Sequence, residues 1–389
     1  MNRVIFFYIL LTLPFVVISQ SIKLSPKAEI SLITCGPGEE LVSSFGHTAF
    51  RVKDPTLNLD IAYNYGVYDF DTPNFYTKFA QGKLLYQLSV YKFEHFIYSY
   101  QSEQRWVKAQ VLNLSLEEKN KLFHFLNNNA KPDNKYYLYD FFFDNCSTRP
   151  RDVLEQVLAN NIKFSNSHIK EERTFRELIQ LNLNKNTWGS FGIDMALGSF
   201  IDEKATPYQH MYLPNYLMYS FDSATYKNKP LVKKTVDVLK SDKDFTQQSY
   251  FLLSPGFLFS ILMIVVLLIT YFNFKQNKRN KWVDFSLFFI TGVLGIFILL
   301  LWFATDHTMT KNNFQFLWVF PANIVVSFFI LKKNVKKWIE KYVLFLLALI
   351  GVTVILWLFK IQEFPIVIIP ILIMLTIRYL YLIKFFRTK

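Results

Sequence analysis

Two residues far apart in the chain have the types that nucleophilic catalysis needs. Cys146 lies in YDFFFDNCSTRPRD, between an aromatic run, Tyr137 to Phe143, that suits a buried strand, and a segment whose Val153, Leu154, Val157 and Leu158 recur at helical spacing. The pattern predicts a strand-to-helix junction at Cys146, capped by Asp144 or Asn145. At such a junction the helix dipole and unpaired amide N–H groups favour a thiolate, and the same amides can hold an oxyanion. A histidine beside the sulfur would then activate it and shuttle its proton. His47, at the start of an extended segment, is the candidate; His95 and His124 sit among apolar and aromatic neighbours, and His168 and His210 read as loop residues. His307 stands beside Asp306 in ATDHTMTKNN. The competing fate of Cys146 is a disulfide, for which Cys35 is the one possible partner among the chain's 2 cysteines.

The elements that would position this pair are legible in outline. Glu29 to Thr34 reads as a strand, followed by the Gly36-Pro37-Gly38 turn. His47 to Val52 and Leu59 to Tyr65 read as a hairpin around a turn at Lys53 to Asn58. Leu116, Leu122, Phe123 and Leu126 mark a helix whose Ser115 and Glu118 have capping-box spacing.

Thiol fate depends on compartment. Residues 1–19 have the layout of a secretory signal peptide: Arg3, an apolar run from Val4 to Ile18 shorter than the roughly twenty residues a span needs, then Ser19. Residues 20–249 have globular character, whereas 250–389 have long apolar runs, so the whole-chain values of 51% hydrophobic and net charge +13 average two unlike regions. Five spans are expected: Phe251 to Phe274, Val283 to Ala304, Phe314 to Leu331, Tyr342 to Phe359 and Phe364 to Ile383. Lys275, Lys278, Arg279 and Lys281 follow the first, Lys332, Lys333, Lys336, Lys337 and Lys341 the third, and Arg378, Lys384, Arg387 and Lys389 the last; the other two loops carry Lys311 and Lys360. The positive-inside rule therefore places these three basic sets and the C-terminus in the cytoplasm and residues 20–249 on the opposite, exported side. The basic surplus is then topology rather than a nucleic-acid footprint, and neither a metal-ligand spacing nor a nucleotide-binding glycine loop is present.

The stretches SLITCGPGEELVSSFGHTAFRV, AYNYGVYDFDTPNFYTKFAQGKLLYQL, YDFFFDNCSTRPRD and GIDMALGSFIDEKATPYQHMYLPNYL together resemble the Lnb family, lipoprotein N-acyltransferases of Bacteroides-type bacteria. The resemblance implies an α+β architecture: a circularly permuted papain-like periplasmic domain, related to the lecithin:retinol acyltransferase group, with histidine before cysteine, followed by a five-helix transmembrane bundle. It implies a membrane-embedded enzyme in which Cys146 takes an acyl chain from a phospholipid as a thioester, His47 acts as base and then acid, and a diacylated lipoprotein accepts the chain on its N-terminal amine. No cofactor, metal or nucleic-acid partner is expected.

A hairpin turn centred on Pro55 to Leu57 would set Asn64 or Tyr65 opposite His47. Asn64 would then orient the imidazole as papain-like sites require, with Asp60, nearer the turn, as the rival. Arg149 could meet a phosphate or pair with Asp152; Tyr65 and His307 complete the expected substrate-binding set. Two other function classes share these features: a Cys/His peptidoglycan endopeptidase or amidase, and a non-enzymatic sensor or binding module stapled by a Cys35–Cys146 disulfide.

Overall fold

The computed structural model describes residues 22–159, 161–243 and 250–388. The expected signal peptide lies outside them.

Alternation of buried residues builds the first half. Strands β1 (Glu29–Cys35), β2 (His47–Asp54), β3 (Leu59–Val67), β4 (Leu85–Lys92), β5 (Val107–Leu112), β6 (Tyr136–Leu138) and β10 (Val232–Leu239) form one sheet in the order β10-β5-β1-β2-β3-β4-β6, antiparallel throughout. Three short strands, β7 (Ile162–Lys163), β8 (Thr225–Tyr226) and β9 (Lys229–Pro230), make a small second sheet. Because successive side chains point to opposite faces, Ile30, Leu32, Phe50, Val52, Tyr63 and Tyr65 fill a core on one side of the large sheet. Ile33, Cys35, Ala49 and Ala62 face the other.

Helices cover both faces. After α1 (Phe75–Ala80), α2 (Phe93–Ser102) packs Phe93, Phe96 and Tyr100 on the second face. Helix α3 (Leu116–Asn129) packs on the first through Leu122 and Leu126, and begins with the expected capping box between Ser115 and Glu118. Helix α4 (Thr148–Val157) adds Val153 and Leu154 to the same core. The aromatic run before it departs from expectation. Only Tyr136–Leu138 is strand; Asp140 Oδ1 accepts the N–H of Phe142 at 2.9 Å and turns the chain. Phe142 then enters a separate core with Phe175 of α5 (Phe175–Gln180). Local aspartate capping has overridden strand propensity there.

Helices α6 (Trp188–Ala196), α7 (Pro207–His210) and α8 (Pro214–Ser223) complete this half. Arg176 on α5 is 2% exposed and ties α5 to α6 and the turn after it, donating to Asp202 at 2.7 Å and Asp194 at 2.9 Å.

In the second half, four helices among the described residues have the length and apolarity to cross a membrane: α9 (Pro255–Lys275), α10 (Lys281–Phe303), α12 (Trp338–Leu358) and the stretch Ile366–Arg387, which contains α13 (Ile369–Arg387). The expected third span is not one of them. It consists of a 3₁₀ turn, Phe314–Leu317, a bend through Pro321, and an eight-residue helix α11 (Asn323–Ile330). Proline removes a backbone donor and clashes with the preceding turn, so a continuous helix cannot form through Pro321.

Contacts at its ends still run this broken segment along the bundle. Asn313 Nδ2 donates to the Met195 carbonyl at 2.8 Å, beside the sheet domain. At the other end the Ile330 carbonyl accepts from Arg279 Nη1 at 2.7 Å. Polar side chains beside the break find partners, as apolar surroundings require: Asn323 Nδ2 donates to Thr291 Oγ1 at 2.9 Å, and the Tyr342 hydroxyl to Asn323 Oδ1 at 2.5 Å.

Close approach to α10 makes the break possible. A β-carbon on Gly295 would stand 1.8 Å from the Val319 carbonyl oxygen, which is backbone and cannot swing aside. Gly295→Val is therefore expected to destabilise the bundle by about 1–3 kcal/mol or more through overpacking. A thermal melt of the detergent-solubilised protein followed by size exclusion reads it, and an unchanged melting temperature would contradict the packing.

The basic residues near the far end divide into two kinds. Arg378, read from sequence as part of the basic C-terminus, is instead fully buried and donates to Asp284 Oδ1 at 2.7 Å. Arg279 shares the same carboxylate at 3.3 Å. A buried carboxylate needs such pairing, which converts two arginines from surface charges into bundle staples.

Candidate active site

The large sheet places His47 at the first position of β2, paired with Cys35 on β1. The β2–β3 register matches Phe50 with Tyr63 and Val52 with Ile61, one to two residues away from the pairing expected from the turn. Asn64 is therefore the diagonal rather than the direct neighbour of His47, yet it shares its face, and the Nε2–H of His47 donates to Asn64 Oδ1 at 2.5 Å. Tyr65 shows the consequence of the same parity. It alternates to the other face, is fully buried in the core, and donates its hydroxyl to Asn129 at 2.8 Å. Asp60, the rival orienting group, is taken by Arg51 at 2.7 and 2.6 Å.

Cys146 arrives from the turn before α4. Asn145 Oδ1 accepts the N–H groups of Ser147 at 2.8 Å and Thr148 at 2.9 Å, while its Nδ2 donates to the carbonyls of Phe141 at 2.7 Å and Tyr212 at 2.8 Å. Of the two expected caps Asn145 does the capping, and all of its polar capacity is spent holding this turn. The helix amides expected to be open for an oxyanion are thus occupied. The N–H of Cys146 itself donates to no other group among the described residues.

The chain is close-packed behind the nucleophile. Gly66 has φ +88°, and a β-carbon there would lie 3.4 Å from Cys146 Cβ and 3.6 Å from Tyr139 Cε2. It sits in the irregularity between Asn64 and Val67 where β3 shifts register against β4. A glycine takes this left-handed conformation without strain and leaves room for the cysteine.

Cys146 and His47 face each other, and each acts on the other's charge. With Nε2 engaged by Asn64, Nδ1 is the ring nitrogen that faces the sulfur. Burial by itself pushes the Cys146 thiol up, but the His47 charge and hydrogen bond, the Thr48 N–H and the Ser147 hydroxyl outweigh it and hold the thiol below its ordinary value. Burial pulls His47 down, and the facing Cys146 and the Asn64 hydrogen bond more than reverse this, so the imidazole rises above its ordinary value. Opposite shifts on two facing groups favour the thiolate–imidazolium form of the pair. Cys146 is 8% exposed and His47 and Asn64 are half-buried, so the pair is enclosed but reachable.

Cys35 is close by and different. Both cysteines are free thiols. Burial pushes Cys35 up to about 12, only partly opposed by Arg105 and Tyr100, so it stays a protonated, inert core residue.

The remaining candidates go elsewhere. Arg149 closes its fork on Asp144, with Nη2 to Oδ2 at 2.6 Å, and lies 3.9 Å over the Tyr137 ring; Asp152, its expected partner, binds Arg151 at 2.7 Å. The Nε2–H of His307 donates to the Phe79 carbonyl at 3.2 Å and ties the loop after α10 to the end of α1. The described residues hold no group of three potential metal ligands.

Thr48, Ser147 and Gly66 are contributors to the site that the sequence pattern does not single out. A glycine inside a strand pattern is the one signal that could flag a close approach at Gly66; the other two contacts depend on α4 meeting β2 and leave no local trace.

Asn64→Ala should reduce any reaction of the pair. A hydrogen bond to a charged group contributes about 2 kcal/mol, hence roughly a thirtyfold loss in rate of Cys146 acylation. Stopped-flow acylation by an activated ester measures it; a loss under about threefold would mean that Asn64 does not orient the ring.

A family model described as the Lnb N-terminal periplasmic domain matches residues 20–180, and one described as the Lnb transmembrane domain matches residues 246–389. No curated protein and no solved structure matches the chain.

Proposed function

The chain belongs to the Lnb family as a membrane-embedded protein with a periplasmic N-terminal domain, and on that premise we propose that it is a lipoprotein N-acyltransferase working through a Cys146 thioester. The observation that carries this reading is the Cys146–His47–Asn64 constellation: a cysteine and a histidine that face each other and shift each other's charge, with the Nε2 ring nitrogen held by an amide oxygen. Its order along the chain, histidine before cysteine, fits a permuted papain-like domain.

In the first half-reaction the Cys146 thiolate attacks the carbonyl carbon of a phospholipid acyl ester. The carbon–oxygen bond of the ester breaks, the leaving alkoxide takes the proton of the His47 imidazolium, and lysophospholipid departs from an acyl-Cys146 thioester. In the second, the N-terminal amine of a diacylglyceryl-cysteine lipoprotein attacks the thioester carbonyl. Neutral His47 accepts the amine proton, the thiolate leaves, and the amide forms with the ion pair restored. The Cys146 N–H is the donor we assign to the tetrahedral oxyanion.

Membrane attachment supports this choice over cell-wall hydrolysis, since both donor and acceptor are held in the outer leaflet of the inner membrane. The basic residues between α9 and α10 and between α11 and α12 support a cytoplasmic C-terminus.

The test is incubation of the detergent-solubilised chain with phospholipid, read by intact mass spectrometry. An acyl adduct on Cys146 that hydroxylamine removes, and that a diacylated lipopeptide discharges with formation of its N-acyl form, is expected. No adduct, together with cleavage of peptidoglycan fragments, would replace acyl transfer by the endopeptidase or amidase reading.

A further inference from the structure

Between β3 and β4 the chain runs through Tyr68 to Lys83, and its apolar side chains face outward. Phe70 is 64%, Tyr76 78% and Phe79 53% exposed. Tyr76 and Phe79 are three apart on α1 and so lie on one side of it. A solvated turn gains nothing from three exposed aromatic rings, and an exposed aromatic cluster marks an interaction surface.

Two hydrogen bonds fix the height of this segment. The Asp306 N–H donates to the Gln81 carbonyl at 2.9 Å and His307 Nε2–H to the Phe79 carbonyl at 3.2 Å. Asp306 follows the end of the span-length helix α10, Phe303, by three residues. The end of α1 is therefore held where a membrane helix emerges, the level at which aromatic rings partition best. Charge does not compete with this placement, because Asp69 and Asp71 balance Lys78 and Lys83.

The segment also leads inward. Half-buried Phe75 lies 5.8 Å from Tyr68, Tyr68 5.4 Å from Tyr86, and Tyr86 stacks on Tyr139 at 4.3 Å. Tyr139 flanks the same Gly66 position as Cys146. Rings thus lead from the exposed face to Tyr139, on the Cys146 side of the sheet.

We infer that Tyr68 to Lys83 is a lip seated in the outer surface of the bilayer, with Phe70, Tyr76 and Phe79 among the lipids, and that through these residues it conducts an acyl chain from the bilayer toward Cys146. The inference about the acyl chain rests on the proposed reaction; the membrane contact does not. Insertion is apolar rather than electrostatic, so it does not depend on anionic lipid or on salt.

The full chain with Cys35→Ala and Cys146→Ala, carrying either Tyr76→Cys or Leu57→Cys, would be labelled with a nitroxide and placed in phosphatidylcholine liposomes. Leu57 is 42% exposed in the β2–β3 turn, at the end of β2 away from His47, and serves as the aqueous reference. Dissolved oxygen is expected to relax the Tyr76 label more than a water-soluble nickel chelate does, with the opposite order at Leu57. Nickel accessibility at Tyr76 equal to that at Leu57 would overturn the lip.

A second arm uses the chain with both cysteines intact and Phe70→Ser, Tyr76→Ser and Phe79→Ser combined. Acylation of Cys146 by bilayer phospholipid should slow roughly tenfold, given the apolar area withdrawn from lipid, while acylation by a water-soluble short-chain thioester stays at the parent rate. Equal bilayer rates would overturn the conducting role. If the parent chain forms no acyl-enzyme from phospholipid, the proposed reaction and the conducting role both fail, and the nitroxide arm alone decides the membrane contact.

Discussion

Cys146→Ala is expected to abolish both the acyl adduct and N-acylation of diacylated lipopeptide, a loss of at least about a thousandfold, because Cys146 is the thiol that faces His47. Cys35 is the residue that could contradict this, since it pairs with His47 across β1 and β2. Its side chain is fully buried among Ile33, Ala49, Phe96 and Tyr100, and burial keeps it protonated. Cys35→Ala should therefore retain the parent rate, and the contrast between the two alanine variants separates a nucleophile from a packed thiol. Full N-acylation by purified Cys146→Ala would end the thioester mechanism.

His47→Ala has the second largest expected effect, about 10²–10⁴-fold, the range that a positioned acid–base group contributes. A structural role for His47 could also lower the rate, so the informative readout is the pH dependence of Cys146 alkylation. In the parent the thiol is held below its ordinary value, chiefly by the facing imidazolium against the opposing effect of burial. Removing the imidazole leaves burial far less opposed, so the alkylation midpoint must move to higher pH. Turnover in the parent should fall on both sides of a plateau. It falls as pH drops through the lowered Cys146 value, because the nucleophile is protonated. It falls again as pH rises through the elevated His47 value, because the leaving alkoxide loses its proton donor. An unchanged alkylation midpoint in His47→Ala would show that the imidazole does not face the sulfur.

Several local features are legible in the amino-acid sequence. The capping box at Ser115 and Glu118, the alternating strands either side of the β2–β3 turn, and four of the expected spans recur in the fold with shifts of a few residues at their ends. Each is specified by neighbours within about one turn or one pleat: a cap needs a residue three positions on, and a strand needs one buried face. The departures have a common form. Tyr137 to Phe143 has strand-forming residues, yet Asp140 captures its own downstream amides and ends the strand. Phe314 to Leu331 has the apolarity of a span, yet Pro321 breaks it and the glycines of α10 receive the bend.

Residue types and their local order therefore specify the chemistry available to this protein: one cysteine before a helix, one histidine opening a strand, an amide within reach on the next strand, and an apolar half to carry them at a membrane. Which of these groups meet is a matter of tertiary packing. A shift of one to two residues in the β2–β3 register left Asn64 on the face of His47 and sent Tyr65 into the core. Competition among nearby carboxylates gave Arg149 to Asp144 and Arg151 to Asp152. Packing of α4 against β2 brought the Thr48 N–H and the Ser147 hydroxyl to the sulfur. Residue type sets what a side chain can do; its partner is selected by the core that fixes register and by the charges left over once every buried group is satisfied.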